Sequence, residues 1–135
     1  MKIIDFGTAK EIEDRTTTII GTPHYMAPEA ILGEGYGFSV DNWSIAVCMY
    51  EFICGAVPYG EAHEDPMDIY TAIINDEIKF PAFVKDNVFK HCMKSMLKKH
   101  LVSRLCTMEQ IRSHPWFNGF DWVKITYLFL ICRKD

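Results

Sequence analysis

The sequence predicts a mainly α-helical domain. Four segments carry apolar residues at helical spacing, residues that start or end helices bound them, and only one short segment is strand-like. Hydrophobic residues make up 49% and charged residues 24% of the 135 residues. This balance is typical of a single globular domain with its own hydrophobic core.

The first predicted elements are a short strand and a long loop. The segment KIIDFG, residues 2–7, has the pattern of a short buried strand that ends at a glycine. Residues 8–30 are largely polar, with two prolines and clustered threonines, and are predicted to form a loop. Loops of this length in compact domains are usually functional or disordered.

Residues 41–55 predict a helix at the centre of a helical bundle. The stretch DNWSIAVCMYEFICG is apolar on nearly every side, which is typical of a helix surrounded by other elements. Asp41 is predicted to cap its start and Gly55 to end it. The exception is Glu51, because a carboxylate within an apolar helix is costly unless it is paired.

Three further helices are predicted to pack around this one. The first begins at Asp65 and Pro66. Its apolar face consists of Ile69, Tyr70, Ile73 and Ile74. The second has one apolar stripe, formed by Val88, Phe89, Cys92, Met93, Met96 and Leu97. The third begins with the capping-box pair Thr107 and Gln110.

Charge and cysteine patterns argue against several classes of function. The net charge of −4 is spread along the chain and leaves no basic stripe for nucleic acid or an anionic membrane. Five cysteines without a CxxC pair and five scattered histidines favour free thiols over disulfides or a zinc site. The longest apolar run is shorter than the ~20 residues of a bilayer span. With no signal-peptide pattern at the start, a cytoplasmic protein is expected.

Several motifs follow one another in a recognisable order. They are DFG at residues 5–7, GTPHYMAPE at 21–29, DNWS at 41–44, SRLC at 103–106 and HPWF at 114–117. This series resembles the carboxy-terminal lobe of eukaryotic protein serine/threonine kinases. Within that family, RTTTIIGTPHYMAPE and WFNGFDW are similar to the AGC group, and EDPMDIYTAII to its cyclic-GMP-dependent members.

The resemblance implies a partial kinase domain over residues 1–122 and a truncated, atypical tail over residues 123–135. It assigns Asp5 to the Mg²⁺ that bridges the phosphates of ATP, because Mg²⁺ prefers carboxylate oxygen. Phe6 would pack beneath that site, and Gly7 would permit the backbone turn. Taken alone, the DFG motif is weak and favours a simple strand-to-turn junction.

Thr18 corresponds to the phosphorylation site in the family's activation loop. Thr16 and Thr17 are alternative acceptors, and a solvated polar loop is the alternative for the whole cluster. A phosphate adds a charge of about −1.5 to −2 and orders a loop only where cations meet it. Lys10 corresponds to one such cation.

The resemblance also implies a surface for protein substrates. Ile19, Pro23 and Met26 would line a pocket for an apolar residue after the phosphoacceptor, and Thr22 would contact the phosphoacceptor region. In basophilic kinases, a glutamate at the position of Glu51 accepts a substrate arginine; the alternative is a hydrogen-bonded core carboxylate. The expected partners are proteins with basic residues near the phosphoacceptor.

Three residues correspond to structural positions of the family. Glu29 and Arg104 match the buried ion pair that ties the activation segment to the helical floor. Asp41 corresponds to the residue that holds the catalytic loop. Because that loop is absent from this sequence, Asp41 is expected to serve as a helix cap.

The sequence contains no Gly-rich loop, no strand lysine with its helix glutamate and no HRD catalytic loop. A lobe without its amino-terminal partner lobe is therefore expected. Its parent kinase would use ATP and Mg²⁺, whereas this chain alone would bind them poorly and be inactive. One alternative is a non-catalytic module that docks or sequesters substrates, and another is a chain that does not fold stably alone.

Overall fold

The computed structural model describes Gly7, Ala9, Glu11 and residues 21–124. The predicted strand before Gly7 and most of the predicted loop lie outside these residues. The part of the chain that is described is helical and contains no β-strand. The prediction of a mainly α-helical fold is confirmed for these residues.

The helices follow the order in which the sequence predicts them. The α-helices are α1 (Pro28–Ile31), α2 (Ser39–Cys54), α3 (Pro66–Asn75), α4 (Asn87–Met96) and α5 (Met108–Ser113). Short 3-10 helices span Pro23–Tyr25, Leu101–Ser103 and Pro115–Phe117.

Side-chain caps define the starts of three helices. The carboxylate of Asp65 accepts a hydrogen bond from the backbone N–H of Met67 at 2.8 Å and begins α3. Asp86 caps α4 in the same way. Thr107 and Gln110 form a complete capping box at the start of α5. The predicted starts at Asp65 and Thr107 are confirmed.

Helix α2 begins earlier than the sequence predicts. Phe38 already has helical dihedral angles (φ −62°, ψ −15°), so the helix begins at Ser39 without a side-chain cap. Asp41 therefore lies inside the first turn, and the prediction that it caps the helix is wrong. The end is as predicted, since Gly55 has a φ of 82° and donates its N–H to the carbonyl of Glu51.

The core lies where α2 and α4 pack together. Its largest fully buried side chains are Trp43, Val47, Ile73, Phe89, Cys92, Met93 and Met96. Five of the six residues in the apolar stripe predicted for α4 are buried. The sixth, Val88, lies in the first turn next to the capping aspartate and is 44% exposed.

Helix α2 buries one side and exposes the other. Trp43, Val47 and Tyr50 face the core, whereas Phe52 is 81% exposed and Ile45 is half exposed. The prediction of a helix surrounded on nearly every side is therefore wrong for this chain. Hydrophobicity around the whole helix indicated burial, but the described helices pack against only one of its faces.

The described cysteines are all free thiols. Cys54 and Cys92 are buried, and Cys48 and Cys106 are half-buried. Within the described residues, no helix has both the length and the apolar character needed to cross a membrane.

Candidate functional site

Glu29, in α1, and Arg104 form a buried ion pair. The guanidinium Nη1 and Nη2 donate to the carboxylate Oε1 and Oε2, both at 2.8 Å. The two side chains are 4% and 0% exposed, respectively. Two parallel charge-assisted hydrogen bonds hold the backbone at α1 against a segment 75 residues further along the chain.

Arg104 makes two further hydrogen bonds. Its Nε donates to the carbonyl of Lys98 at 2.7 Å, and its Nη2 also donates to the carbonyl of Lys99 at 2.9 Å. The guanidinium carbon lies 4.8 Å from the ring centroid of Trp43. A buried charge needs this degree of pairing, because desolvation would otherwise outweigh the attraction between the two ions.

The turn Pro23–Tyr25 is fastened to helix α2. The hydroxyl of Tyr25 donates to Oε2 of Glu51 at 2.8 Å. The hydroxyl of Ser44 donates to the backbone carbonyl of Tyr25, also at 2.8 Å. The hydrogen bond to Glu51, assisted by burial, raises the pKa of Tyr25 to about 12. Tyr25 therefore remains a hydrogen-bond donor at neutral pH.

The carboxylate of Glu51 keeps capacity for a further partner. It is half-buried, and none of the described lysines or arginines forms an ion pair with it. An ionised carboxylate has about four acceptor positions on its two oxygens. With Tyr25 occupying one position on Oε2, the remaining positions can accept hydrogen bonds from a cation that arrives from outside.

Two of the three residues predicted to line an apolar pocket, Pro23 and Met26, lie in or directly after the same turn. Met26 is buried, and the hydroxyl of Tyr70 on α3 lies 3.7 Å from its sulfur. Pro23 is half-buried. Thr22 is exposed, and its hydroxyl makes no hydrogen bond with the described part of the chain.

Several predicted site residues fall outside the described residues. They are Asp5, Phe6, Lys10, Thr18 and Ile19. Gly7 lies in an exposed turn, and Asp41 is exposed on α2. In the part that the structure describes, no group of three or more His, Cys, Asp or Glu residues could hold a metal ion. The predicted roles in metal binding and phosphorylation therefore stay predictions.

Sequence reasoning missed the bond from Tyr25 to Glu51 and the bond from Ser44 to the backbone of Tyr25. Tyr25 lies 26 positions before Glu51 and 19 positions before Ser44. Neither spacing is a local motif, so no pattern linked them. The available signal was the isolated glutamate in an apolar helix, which required a partner of some kind.

Comparison with known proteins shows which family the chain belongs to. The model of the protein kinase domain family matches residues 1–117. The cGMP-dependent protein kinase of Plasmodium berghei is 43% identical over 129 residues, which cover 93% of this chain and 15% of that protein. The cGMP-dependent protein kinase of Toxoplasma gondii is 42% identical over 129 residues, with coverage of 93% and 13%.

Cyclic-AMP-dependent kinases are also similar. The cAMP-dependent protein kinase catalytic subunit of Arthrobotrys oligospora is 35% identical over 129 residues, which cover 93% of this chain and 24% of that protein. The chain thus spans between 13% and 24% of the length of these curated relatives. The resemblance seen in the sequence motifs is confirmed, and the chain belongs to the protein kinase domain family.

Proposed function

We propose that the described helices form the surface on which a serine/threonine protein kinase docks the basic segment of its protein substrate. The observation that carries this proposal is the hydrogen bond from Tyr25 to Glu51, which fixes at a half-buried position a carboxylate that has no cationic partner among the described residues. A substrate arginine is the complementary group, because its planar guanidinium matches a carboxylate and is always charged.

The neighbouring turn supports the same assignment. Pro23 and Met26 are apolar and lie in the segment that Ser44 and Tyr25 fasten to α2. In this proposal they contact an apolar substrate residue that follows the phosphoacceptor, together with Ile19. Thr22, exposed at the start of the turn, contacts the phosphoacceptor region.

The phosphoryl-transfer chemistry is proposed for the parent kinase domain, of which residues 1–122 would be a part. There, the γ-phosphate of ATP passes to a serine or threonine of the substrate. Asp5 would hold Mg²⁺, which offsets charge on the transferring group. A phosphate on Thr18 would be met by Lys10. The described residues supply no metal or nucleotide ligand in this scheme; they bind and orient the protein substrate.

A second candidate is a docking module without catalysis. The same observation favours it, because an arginine can bind to Glu51 without any nucleotide. The two candidates differ in one measurable property. A kinase incorporates phosphate from ATP and Mg²⁺ into a bound serine peptide, whereas a docking module binds the same peptide with equal affinity and transfers nothing.

Replacement of Glu51 by glutamine is expected to weaken binding of a basic peptide about 10- to 100-fold. The probe carries two arginines before a serine and an isoleucine after it, and titration calorimetry measures its Kd. The loss follows because a neutral amide cannot match the charge of the guanidinium. Tyr25→Phe removes only the positioning hydrogen bond, so a smaller loss of about 3- to 10-fold is expected.

Glu64→Gln is the matched control. Glu64 is exposed in the loop before α3, and its side chain makes no hydrogen bond or ion pair in the described part of the chain. This variant should bind the peptide as the unmodified chain does. The proposal fails if the unmodified chain shows no saturable binding, or if Glu64→Gln weakens binding as much as Glu51→Gln does.

A further inference from the structure

The imidazole rings of His91 and His114 form a pair remote in sequence from the docking residues. His91 lies on α4, and His114 lies between α5 and the 3-10 helix Pro115–Phe117. Nδ1 of His91 and Nε2 of His114 are 2.8 Å apart, and the two rings meet edge to edge, with centroids at 5.1 Å and planes 19° apart. His114 is 7% exposed, whereas His91 is exposed to solvent.

The hydrogen bonds around His114 determine which nitrogens carry protons. The backbone N–H of Trp116 donates to Nδ1 of His114 at 3.1 Å. An imidazole nitrogen that accepts a hydrogen bond carries no proton, so the proton of His114 is on Nε2. Nε2 then donates to Nδ1 of His91, whose own proton is on its Nε2. The observed arrangement requires both rings to be neutral.

The pair attaches an aromatic segment to α4. His114 caps the 3-10 helix Pro115–Phe117 through its bond to Trp116. The ring of Trp116 lies 5.6 Å from that of Phe89, which belongs to the core, and 4.8 Å from that of Phe117. A change at the imidazole pair would therefore act on a segment whose aromatic side chains pack against the core.

No described carboxylate or cationic side chain bonds to either ring. The charged residues on the helices that flank the pair are Lys90 and Lys94 on α4 and Glu109 and Arg112 on α5. The ammonium of Lys90 lies 6.0 Å from the Phe80 ring, and the guanidinium of Arg112 lies 5.2 Å from the Trp122 ring. Among these groups, His91 is the titratable side chain that affects the pKa of His114.

We propose that His91 and His114 form a pH-sensitive latch that fastens the segment Pro115–Phe117 to α4 when both rings are neutral and releases it when either is protonated. A second proton on His91 would place two N–H groups against each other across 2.8 Å. A second proton on His114 would replace the acceptor that caps Trp116 with a donor. This latch is independent of the proposed substrate docking.

The direction of the pH dependence follows from burial. Burial, and secondarily the neighbouring His91, lower the pKa of His114 below its ordinary value. The folded chain therefore binds fewer protons at this site than the unfolded chain does. The stabilisation is fully present above the unfolded pKa of about 6.5 and is lost as the pH falls from there towards the lowered folded pKa.

The latch is tested on the unmodified 135-residue chain by nuclear magnetic resonance. At pH 7.5, the ¹⁵N shifts of His114 should show the tautomer with the proton on Nε2. Between pH 7.5 and 5.5, the hydrogen-exchange protection factor of the Trp116 amide should fall by up to about tenfold, because about one unit of that range lies below the unfolded pKa. Constant protection, or a proton on Nδ1 at pH 7.5, would overturn the proposal.

Variants separate the latch from other titrating groups. Asn at position 114 keeps an oxygen that can cap Trp116, and Gln at position 91 keeps an acceptor, yet neither titrates. The double variant His91→Gln/His114→Asn should therefore protect the Trp116 amide equally at pH 7.5 and 5.5. His63→Gln, in an exposed loop, should keep the pH response of the unmodified chain. The proposal is wrong if the double variant keeps that response or if His63→Gln abolishes it.

Discussion

Replacing Arg104 with methionine is expected to lower the free energy of unfolding by about 3–5 kcal/mol. The substitution leaves the carboxylate of Glu29 buried without its partner, and the carbonyls of Lys98 and Lys99 lose a donor. The loss is large because the desolvation cost of a buried, unpaired carboxylate exceeds the net stabilisation that the intact ion pair provides. Urea denaturation followed by circular dichroism measures it.

Two further variants show whether the ion pair is the cause. Lys98→Met changes an exposed side chain six residues before Arg104 and should alter the free energy of unfolding by about 0.5 kcal/mol or less. The double variant Glu29→Leu/Arg104→Met removes both charges and should recover most of the stability. A double variant as unstable as the sum of its two single variants would contradict this explanation.

Trp43→Ala is expected to cost about 3–5 kcal/mol of unfolding free energy, because it removes a large and fully buried side chain from the core. The indole ring stacks on Tyr59 with centroids 5.9 Å apart and planes at 13°. Arg104 covers the ring of Trp43, and the ammonium of Lys99 lies 3.4 Å from the Tyr59 centroid. Urea denaturation again measures the loss.

Trp43→Phe should cost less than half as much as Trp43→Ala. Phenylalanine keeps most of the ring contacts, and it removes an indole N–H that is buried without a hydrogen-bond partner among the described residues. A buried unpaired donor carries a desolvation cost, so its removal offsets part of the lost packing. The explanation is wrong if phenylalanine is as destabilising as alanine.

Local signals predicted much of the helical fold. Asp65, Thr107 and Gly55 act through neighbouring backbone groups, so their sequence positions were sufficient to place helix boundaries. The start of α2 was missed because Phe38 adopts helical angles without any capping signal. The exposure of Phe52 was not predicted, because a hydrophobic pattern shows that a helix face is apolar but not whether another element packs against that face.

The candidate site was only partly predictable for a related reason. The resemblance pointed to Glu29 and Arg104, and the structure brings them together across 75 residues. The bond from Tyr25 to Glu51 depends on how a turn docks on α2, and no local pattern encodes that contact. The pairing of His91 with His114 depends likewise on the packing of α4 against the chain that follows α5.

Substrate docking is tested most directly by mapping a bound peptide onto the ¹⁵N-labelled chain. The probe is the arginine peptide described above, and its control carries citrulline in place of each arginine, which removes the charge and keeps only the Nε–H and one terminal NH₂ group as donors. We expect amide shift changes centred on Tyr25, Ser44 and Glu51 with the arginine peptide and none with the citrulline peptide. Changes centred instead on the acidic segment 61–68, or equal changes with both peptides, would contradict the proposed docking surface.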